Sequence, residues 1–301
     1  LRPPGAADAV HVVFGIDREI VVHHVGDAFD VDAARIEIQD AANQAVFSGA
    51  VVIRQGKLTL NADSVKVLYS RDKAGNPEMQ RLDARGHVRL VSPTERATGN
   101  IGIYDVAAKI ITLTGNVTLT STNGAISFAE VIDTATGSAA QALTVDAGSG
   151  GVTFSKAVGA TKALAGVTVN SSGLTKFGSS VGAASVTTDA AGSVELNGFV
   201  TTSGAQTYND AAVLAANIAL TTTDSNVSFG STLNSAELLA ATPATLLITA
   251  GTGDVSFVGI VGGASYTGTT PTTTGALGAV TLASAKNVSI GAAFTAASLV
   301  Q

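Results

Sequence analysis

Residues 47–65 read FSGAVVIRQGKLTLNADSV and alternate apolar with polar or small side chains on both sides of Gly56. A period of two is typical of a half-buried β-strand, and a glycine between two such runs favours a turn. The alternation recurs up to about residue 120, so we expect this part of the chain to be built from strands. The side chains that would face one common interior are those of Phe47, Val51, Ile53, Leu58, Leu60, Val65, Val67, Val88, Leu90, Ile101, Ile103, Ile111, Leu113, Val117 and Leu119.

A short glycine motif occurs three times in this region: FSGAVVI from Phe47, ARGHVRL from Ala84 and LTGNVTL from Leu113. Each copy has an apolar or small residue, a spacer, glycine, a second spacer, and then valine followed by an aliphatic residue two positions later. Glycine tolerates backbone conformations that other residues avoid. The motif therefore predicts a tight turn that leads into a strand with its valine facing the interior.

Together with ATGNIGIYD from Ala97 and ITLTGNVTL from Ile111, residues 47–65 resemble the OstA-like (LptA-like) family of lipopolysaccharide-transport domains. The resemblance covers about residues 17–120 and implies a twisted antiparallel β-jelly-roll that is open at both ends. In function, it implies a lipid-binding domain of the periplasm whose interior shields acyl chains of lipopolysaccharide. It also implies that edge strands stack end to end, with other copies or with other OstA-like proteins. The strands that close the family's C-terminal end are replaced here by a Gly-, Ser- and Thr-rich sequence.

Under this resemblance, the interior would be a lipid-binding groove. The predicted groove residues are Phe47, Val51, Ile53, Leu58, Leu60, Val65, Val67, Val88, Leu90, Ile101, Ile103, Ile111 and Leu113. Arg85 and Arg89 flank a predicted strand, and guanidinium groups suit phosphate. Contact with the phosphates of lipid A is one hypothesis for this pair, and a solvated outer face is the other.

Charge divides the chain into two parts. Residues 1–120 contain 13 of the 17 Lys and Arg, 14 of the 23 Asp and Glu, and all four His, whereas residues 121–301 contain only 13 charged residues. This predicts two domains, 1–120 and 121–301, that meet through continuous structure, because no Pro-rich or charged linker separates them. The sequence leaves open whether the two parts are a natural or an engineered fusion.

Residues 121–301 contain a degenerate repeat of a short apolar–threonine strand, a small polar turn and a second strand ending in Phe or an aliphatic residue. Six segments align, at 142–154, 166–177, 185–196, 218–229, 246–257 and 279–290. Such units cannot bury their inner face alone and must stack, which predicts a parallel β-helix or solenoid with one internal phenylalanine stack. This part resembles the β-solenoids of secreted bacterial adhesins and filamentous-haemagglutinin-like proteins.

Several kinds of site are disfavoured by composition. The chain has no Cys and a net charge of −6, which removes thiolate chemistry and Cys-based metal sites and disfavours nucleic-acid binding. No apolar run approaches the ~20 residues of a membrane helix. The chain does not start with a charged segment and a long apolar core, so we expect any signal peptide to have been removed already. We therefore expect no membrane span, no cofactor and no metal.

Individual catalytic and binding motifs have structural explanations. The segment GSSVG at residues 178–182 matches a nucleophile elbow, but no histidine follows Ser180 as a hydrolase would require. His23 and His24 are adjacent and would point to opposite faces of a strand. Asp30 and Asp32 share a face without a third carboxylate. Four glycosylation sequons, at Asn116, Asn170, Asn226 and Asn287, are more simply turn residues that enter strands.

Two function classes remain. The first is a non-catalytic lipid-binding protein of lipopolysaccharide transport and outer-membrane biogenesis, located in the periplasm. The alternative is a secreted or cell-surface adhesin or fibre module with no lipid cargo. A polysaccharide-active β-helix enzyme is disfavoured, because nine acidic residues are scattered over the last 181 positions.

Overall fold

The computed structural model describes residues 10–11, 30–71, 73, 77–105, 110–134, 138–236, 242–263, 265–267, 270–272 and 275–301. His23 and His24 lie outside the described residues. Within them the chain is almost entirely β, and the only helix is one 3-10 turn, Asp40–Ala42. In the same residues there is no helix of 18 or more residues with the hydropathy of a membrane-crossing segment. The first nine strands are β1 (Val10–His11), β2 (Asp30–Asp32), β3 (Arg35–Gln39), β4 (Gln44–Gln55), β5 (Leu58–Arg71), β6 (Pro77–Val91), β7 (Glu95–Asp105), β8 (Ile110–Thr114) and β9 (Val117–Ser121).

Strands β4 to β7 form an antiparallel meander of unusually long strands, 11 to 15 residues each. Each outer strand of the meander pairs with two shorter strands, one along each half of its length. On β4, β3 pairs with the first half and β2 with the second. On β7, β9 pairs with the first half and β8 with the second. The meander is thus one sheet folded across its strands, with two halves that face each other. Aliphatic side chains from both halves fill the space between them.

The long strands bend at the glycine motif, and the structure there shows that one prediction was wrong. In β4 and β6 the motif does not end the strand; it forms a bulge, and Gly49–Ala50 and Gly86–His87 all have positive φ. Two consecutive left-handed residues bend a strand without ending its pairing. A side chain at Gly86, where φ is +75°, would place its Cβ 2.1 Å from Asp63 Oδ2. Only the third copy, at Gly115, is the expected turn, between β8 and β9.

Strand β9 joins the two parts of the molecule. It pairs antiparallel with β7, where Ala97 lies opposite Leu119, and parallel with the next part of the chain, where Val145 lies opposite Leu119 on its other edge. One 16-stranded sheet therefore runs from the folded meander into the rest of the chain. This confirms the prediction of continuous structure in place of a flexible linker.

The remainder is a parallel β-solenoid, as the repeats predict. Its strands are β10 (Ile126–Phe128), β11 (Ala142–Gly148), β12 (Val152–Phe154), β13 (Gly166–Ser171), β14 (Leu174–Phe177), β15 (Val181–Ala183), β16 (Val186–Thr188), β17 (Ser193–Leu196), β18 (Val200–Thr202), β19 (Gln206–Tyr208), β20 (Ala211–Leu214), β21 (Ile218–Thr222), β22 (Val227–Phe229), β23 (Leu233–Ser235), β24 (Leu246–Thr249), β25 (Val255–Phe257), β26 (Ser265–Thr267), β27 (Thr270–Thr272), β28 (Leu277–Ser284), β29 (Val288–Ile290) and β30 (Ala296–Val300).

The solenoid has three faces. One continues the large sheet through β9, β11, β13, β16, β19, β22, β25 and β29; the second consists of β10, β12, β14, β17, β20 and β23; the third consists of β15, β18, β21, β24, β28 and β30. A full coil takes 19 residues between Val167 and Val186 and 33 between Val255 and Val288. The coils thus differ in the length of the connections at their corners, because the strands of successive coils remain paired.

The solenoid contains two aromatic stacks where the repeat alignment predicts one. Phe128, Phe154 and Phe177 stack on the second face with centroids 4.7 and 4.9 Å apart. Tyr208, Phe229 and Phe257 form a separate stack on the first face. The first three aligned segments turn the corner from the first face to the second, but the fourth, β21 to β22, turns from the third face to the first. The same apolar–turn–apolar pattern suits either corner, so the alignment does not distinguish them.

The residues of the catalytic, metal-binding and glycosylation motifs lie in connections, on an edge strand or between coils. Ser180 lies in the short connection between β14 and β15. Asp30, on the short edge strand β2, is exposed and pairs with Arg54 at 3.3 Å. The side-chain oxygens of Asn116 and Asn226 accept hydrogen bonds from the amides of Ala142 and Asp254 in the next coil. These two asparagines therefore link coils through their side chains.

Candidate functional site

The space between the two halves of the folded meander contains an apolar cavity of about 130 Å³, which we call the groove cavity. Strands β4, β5, β6, β7 and β8 all contribute to its walls, and the bulges hold the two halves face to face. Its lining residues are Ile53, Gln55, Leu58, Leu60, Leu82, Ala84, Val88, Leu90, Gly102, Ile103, Tyr104, Ile111 and Leu113. None of these residues carries a charge.

The structure brings eight of the predicted groove residues together around this cavity: Ile53, Leu58, Leu60, Val88, Leu90, Ile103, Ile111 and Leu113. Val51 and Val65 are fully buried in the adjoining core, and Phe47 and Val67 pack against that core half-buried. Ile101 lines a different cavity at the junction with the solenoid.

Five lining residues were not predicted: Gln55, Leu82, Ala84, Gly102 and Tyr104. A change of inward parity accounts only for the two β7 residues, Gly102 and Tyr104, because Gln55, Leu82 and Ala84 keep the parity of the predicted residues on their own strands. In β7, Ala97 and Gly99 are buried, but beyond them the buried position is Gly102 and not Ile101. Gly102 faces the side chain of Val88 closely, because a Cβ at this position would lie only 2.9 Å from Val88 Cγ1. A residue without a side chain is therefore required there. The available signal was the bulge motif itself, if each bulge had been taken as a shift of parity in the strand that pairs with it.

Two polar side chains reach this apolar wall, those of Gln55 and Tyr104. The hydroxyl oxygen of Tyr104 is shielded from solvent and has no hydrogen-bond partner within the described residues. Burial raises the pKa of this phenol, and the neighbouring carboxylate of Asp105 raises it further. Tyr104 therefore stays protonated at neutral pH and can act as a hydrogen-bond donor.

Arg85 and Arg89 lie on the outer surface of β6, exposed to solvent and on the opposite side from the cavity. On the same surface the carboxylate of Asp83 accepts a hydrogen bond from Arg81 at 2.5 Å and lies 3.7 Å from the Lys66 ammonium. Positive charge is thus found on the outside of the meander, and the inside is aliphatic.

A second cavity of about 220 Å³ lies where the meander meets the first solenoid coil. We call it the junction cavity, and its wall includes Asn100, Thr114, Asp133, Thr134, Ser138 and Gln141. The carboxylate of Asp133 accepts hydrogen bonds from the amides of Thr161 and Lys162 at 3.0 to 3.2 Å. Asp133 thus connects two coils, and the wall of the junction cavity is mixed, since Ile101, Val117, Leu143 and Leu164 also line it.

The strand β3 is an edge of the folded meander. It pairs with β4 along one side, and no strand among the described residues pairs with its other side. Its apolar side chains are unusually exposed, Ile36 by 55% and Ile38 by 67%. An unpaired apolar edge is a template for strand addition. In the described part of the chain, no three His, Asp or Glu side chains lie close enough to hold a metal ion.

Comparison with known proteins finds similarity in the first part of the chain. Residues 30–138 match the family described as LptA/(LptD N-terminal domain) LPS transport protein. An uncharacterized protein of Rhizobium meliloti (strain 1021) is 32% identical over 89 residues, which are 28% of this chain and 48% of that protein. The chain thus spans about half the length of this curated relative. Among solved structures, it is similar to LptH of Pseudomonas aeruginosa, described as the LptA homologous periplasmic component of the conserved lipopolysaccharide transport device. The identity is 18%, over 29% of this chain and 82% of that chain, with a TM-score of 0.18.

The family match confirms the resemblance stated from the motifs. The first part of the chain is an LptA-like domain, and its match extends past β9 into the first solenoid coil. A parallel β-solenoid follows it on the same sheet. The family supports a role in lipopolysaccharide transport.

Proposed function

We propose that this chain binds an acyl chain of lipopolysaccharide in the groove cavity and acts in the periplasm as a non-catalytic transport component. One observation carries the proposal: the cavity between the two halves of the meander is lined by aliphatic side chains and contains no charged group. Hydrocarbon leaves water for such a surface with a gain in free energy that needs no directed contacts. The LptA-like family match supports the same substrate class.

The size of the cavity limits how strongly one chain can bind. Each methylene transferred from water gains about 0.8 kcal/mol, so burying about five gains about 4 kcal/mol, which corresponds to a Kd of about 1 mM. A cavity of about 130 Å³ holds only a short hydrocarbon segment. Firm retention of a multi-chain lipid therefore requires several segments to be buried together, either along one groove or across stacked copies.

The proposal predicts that Leu90→Asp weakens lipid binding at least tenfold. Leu90 lines the cavity and is only half-buried, so the protein should still fold, but a carboxylate there would have to lose its hydration when hydrocarbon enters. Binding is measured by fluorescence displacement with purified lipopolysaccharide and, separately, with a fatty acid that has no phosphate. Arg89→Asp is the matched control, because the neighbouring side chain points outward.

The two probes also test the proposed head-group contact by Arg85 and Arg89. If Arg89→Asp weakens binding of lipopolysaccharide but not of the fatty acid, the outer arginines contact phosphate. If Arg89→Asp binds both ligands as tightly as the wild type does, Arg89 belongs to a solvated face. Equal binding of either ligand by Leu90→Asp and the wild type would contradict the groove proposal. Absence of binding by the wild type, with rod-like assemblies in micrographs, would favour the structural adhesin or fibre alternative.

We also propose that copies associate end to end through the edge strand β3. The exposed pair Ile36 and Ile38 on an unpaired edge supports strand addition, which would extend the folded sheet into the next protein. Lysine on an edge strand opposes such pairing by charge and hydration. The double variant Ile36→Lys/Ile38→Lys is expected to shift sedimentation velocity profiles at high concentration from oligomer to monomer.

The control for association is Val258→Lys/Ile260→Lys, which places the same two charges on exposed apolar positions of the solenoid. This control should sediment like the wild type. A wild type that stays monomeric at all concentrations would exclude self-association through β3.

A further inference from the structure

Tyr104 is an anomaly in the wall of the groove cavity. Its neighbours across the sheet are Leu82 on β6 and Ile111 on β8, and both also line the cavity. Its ring packs against the apolar core, yet its hydroxyl oxygen is shielded from solvent and meets no acceptor or donor among the described residues. Phenylalanine would fill the same space without burying an unpaired polar group.

A buried hydroxyl without a partner destabilises a folded protein, because it has lost its hydrogen bonds to water and gained none. Elsewhere in this chain a buried tyrosine is treated differently: the hydroxyl of Tyr208 donates to Gln206 Oε1 at 3.1 Å. Buried oxygens without a partner also occur in the solenoid, as at Thr175 and Asn234, so what distinguishes Tyr104 is that its side chain lines the groove cavity. This points to an acceptor that arrives with the ligand.

We propose that Tyr104 is a specificity-determining residue that donates a hydrogen bond to an oxygen carried by the acyl chain in the groove. The inference rests on the proposed function and narrows its ligand class to chains with an oxygen substituent near the cavity, either a hydroxyl on the chain or the carbonyl of its acyl group. Small-molecule sites commonly combine apolar walls with one or two such polar groups that fix orientation. Burial and Asp105 keep the phenol protonated, as a donor requires.

The test measures binding of tetradecanoate and 3-hydroxytetradecanoate to the wild type and to Tyr104→Phe. A single hydrogen bond corresponds to about a two- to tenfold change in affinity. If the chain hydroxyl is the acceptor, the wild type prefers the hydroxylated acid by that factor and Tyr104→Phe loses the preference. If the carbonyl is the acceptor, Tyr104→Phe weakens both acids by that factor.

The control is Tyr69→Phe, which makes the same change at a tyrosine outside the cavity lining and should leave both affinities unchanged. Thermal unfolding of Tyr104→Phe should match or exceed that of the wild type, because an unpaired hydroxyl is removed. Equal affinities of Tyr104→Phe and the wild type for both acids would overturn the inference while leaving the groove intact. Failure of the wild type to bind either acid would instead refute the proposed function.

Discussion

Phe154→Ala is expected to lower the free energy of unfolding by about 3–5 kcal/mol, the typical cost of deleting a buried phenylalanine. Phe154 is 1% exposed and is the middle ring of the stack formed with Phe128 and Phe177. Alanine would leave a cavity between two coils and remove both ring contacts, each of which contributes beyond its buried area. The measurement is equilibrium denaturation followed by circular dichroism.

Phe199→Ala is the matched control, because Phe199 is 60% exposed and the same atoms are removed from a solvated position. Its effect should stay within about 0.5 kcal/mol, as is usual for surface substitutions. Similar losses for the two variants would mean that the stack does not hold the coils together.

Phe154→Ala should also destabilise the part of the meander that forms the groove cavity. Coils in a solenoid are stabilised mainly by their neighbours, and β9 is the first coil's strand as well as the partner of β7. Loosening the first coils therefore removes support from one half of the folded meander. Hydrogen exchange in β7 should be faster in Phe154→Ala than in Phe199→Ala. The solenoid continues the folded sheet in the position where the family resemblance implies further strands.

The sequence predicts the composition of the groove better than its geometry. Alternation identifies Ile53, Leu58 and Leu60 correctly, since no bulge separates them on their strands. It misplaces Ile101, because the inward parity has changed by the time β7 reaches Gly102. The extra residue of the bulge lies in β6, which keeps its inward parity from Ala84 to Val88, and the parity changes instead in the opposite strand β7, where period-two reasoning fails.

Tyr104 shows a second limit of the sequence. A tyrosine in an alternating strand is unremarkable, and nothing in the pattern indicates that its hydroxyl lacks a partner. That property depends on which residues the sheet places beside it, and its cross-strand neighbours, Leu82 and Ile111, are both aliphatic. Such long-range surroundings are set by the fold.

The repeats raise a related difficulty. Stacking and low charge predict the solenoid correctly, but two corners of the coil share nearly the same sequence signature. Val152–Phe154 and Val227–Phe229 have similar sequences, yet they lie on different faces. Only the count of strands per coil separates the two corners, and that count is obscured because coils vary from 18 residues, between Val194 and Ala212, to 34, between Leu246 and Val280.

Close contact between coils leads to the second large effect. Gly150→Ala is expected to destabilise the protein by about 1–3 kcal/mol or more, the range for overpacking a tight interior. A Cβ at Gly150 would lie 2.2 Å from the carbonyl oxygen of Gly124 and 2.4 Å from its carbon, both backbone atoms of the preceding coil. Gly124 lies two residues before β10, which is paired in parallel with β12, so its backbone cannot move aside as a side chain can and the two coils would have to separate.

Gly166→Ala isolates this contact. Both glycines lie in the solenoid and neither has a positive φ, so alanine restricts the unfolded chain equally in both variants. The nearest atom to a Cβ at Gly166 is Ser185 Oγ at 3.1 Å, which can rotate away. Gly166→Ala should therefore be neutral or stabilising by up to about 1 kcal/mol. The difference between the free energies of unfolding of the two variants, measured by denaturation, then reports the backbone clash alone. Equal stabilities of the two variants would mean that the coils can separate at no cost, which is incompatible with a solenoid held by close backbone stacking.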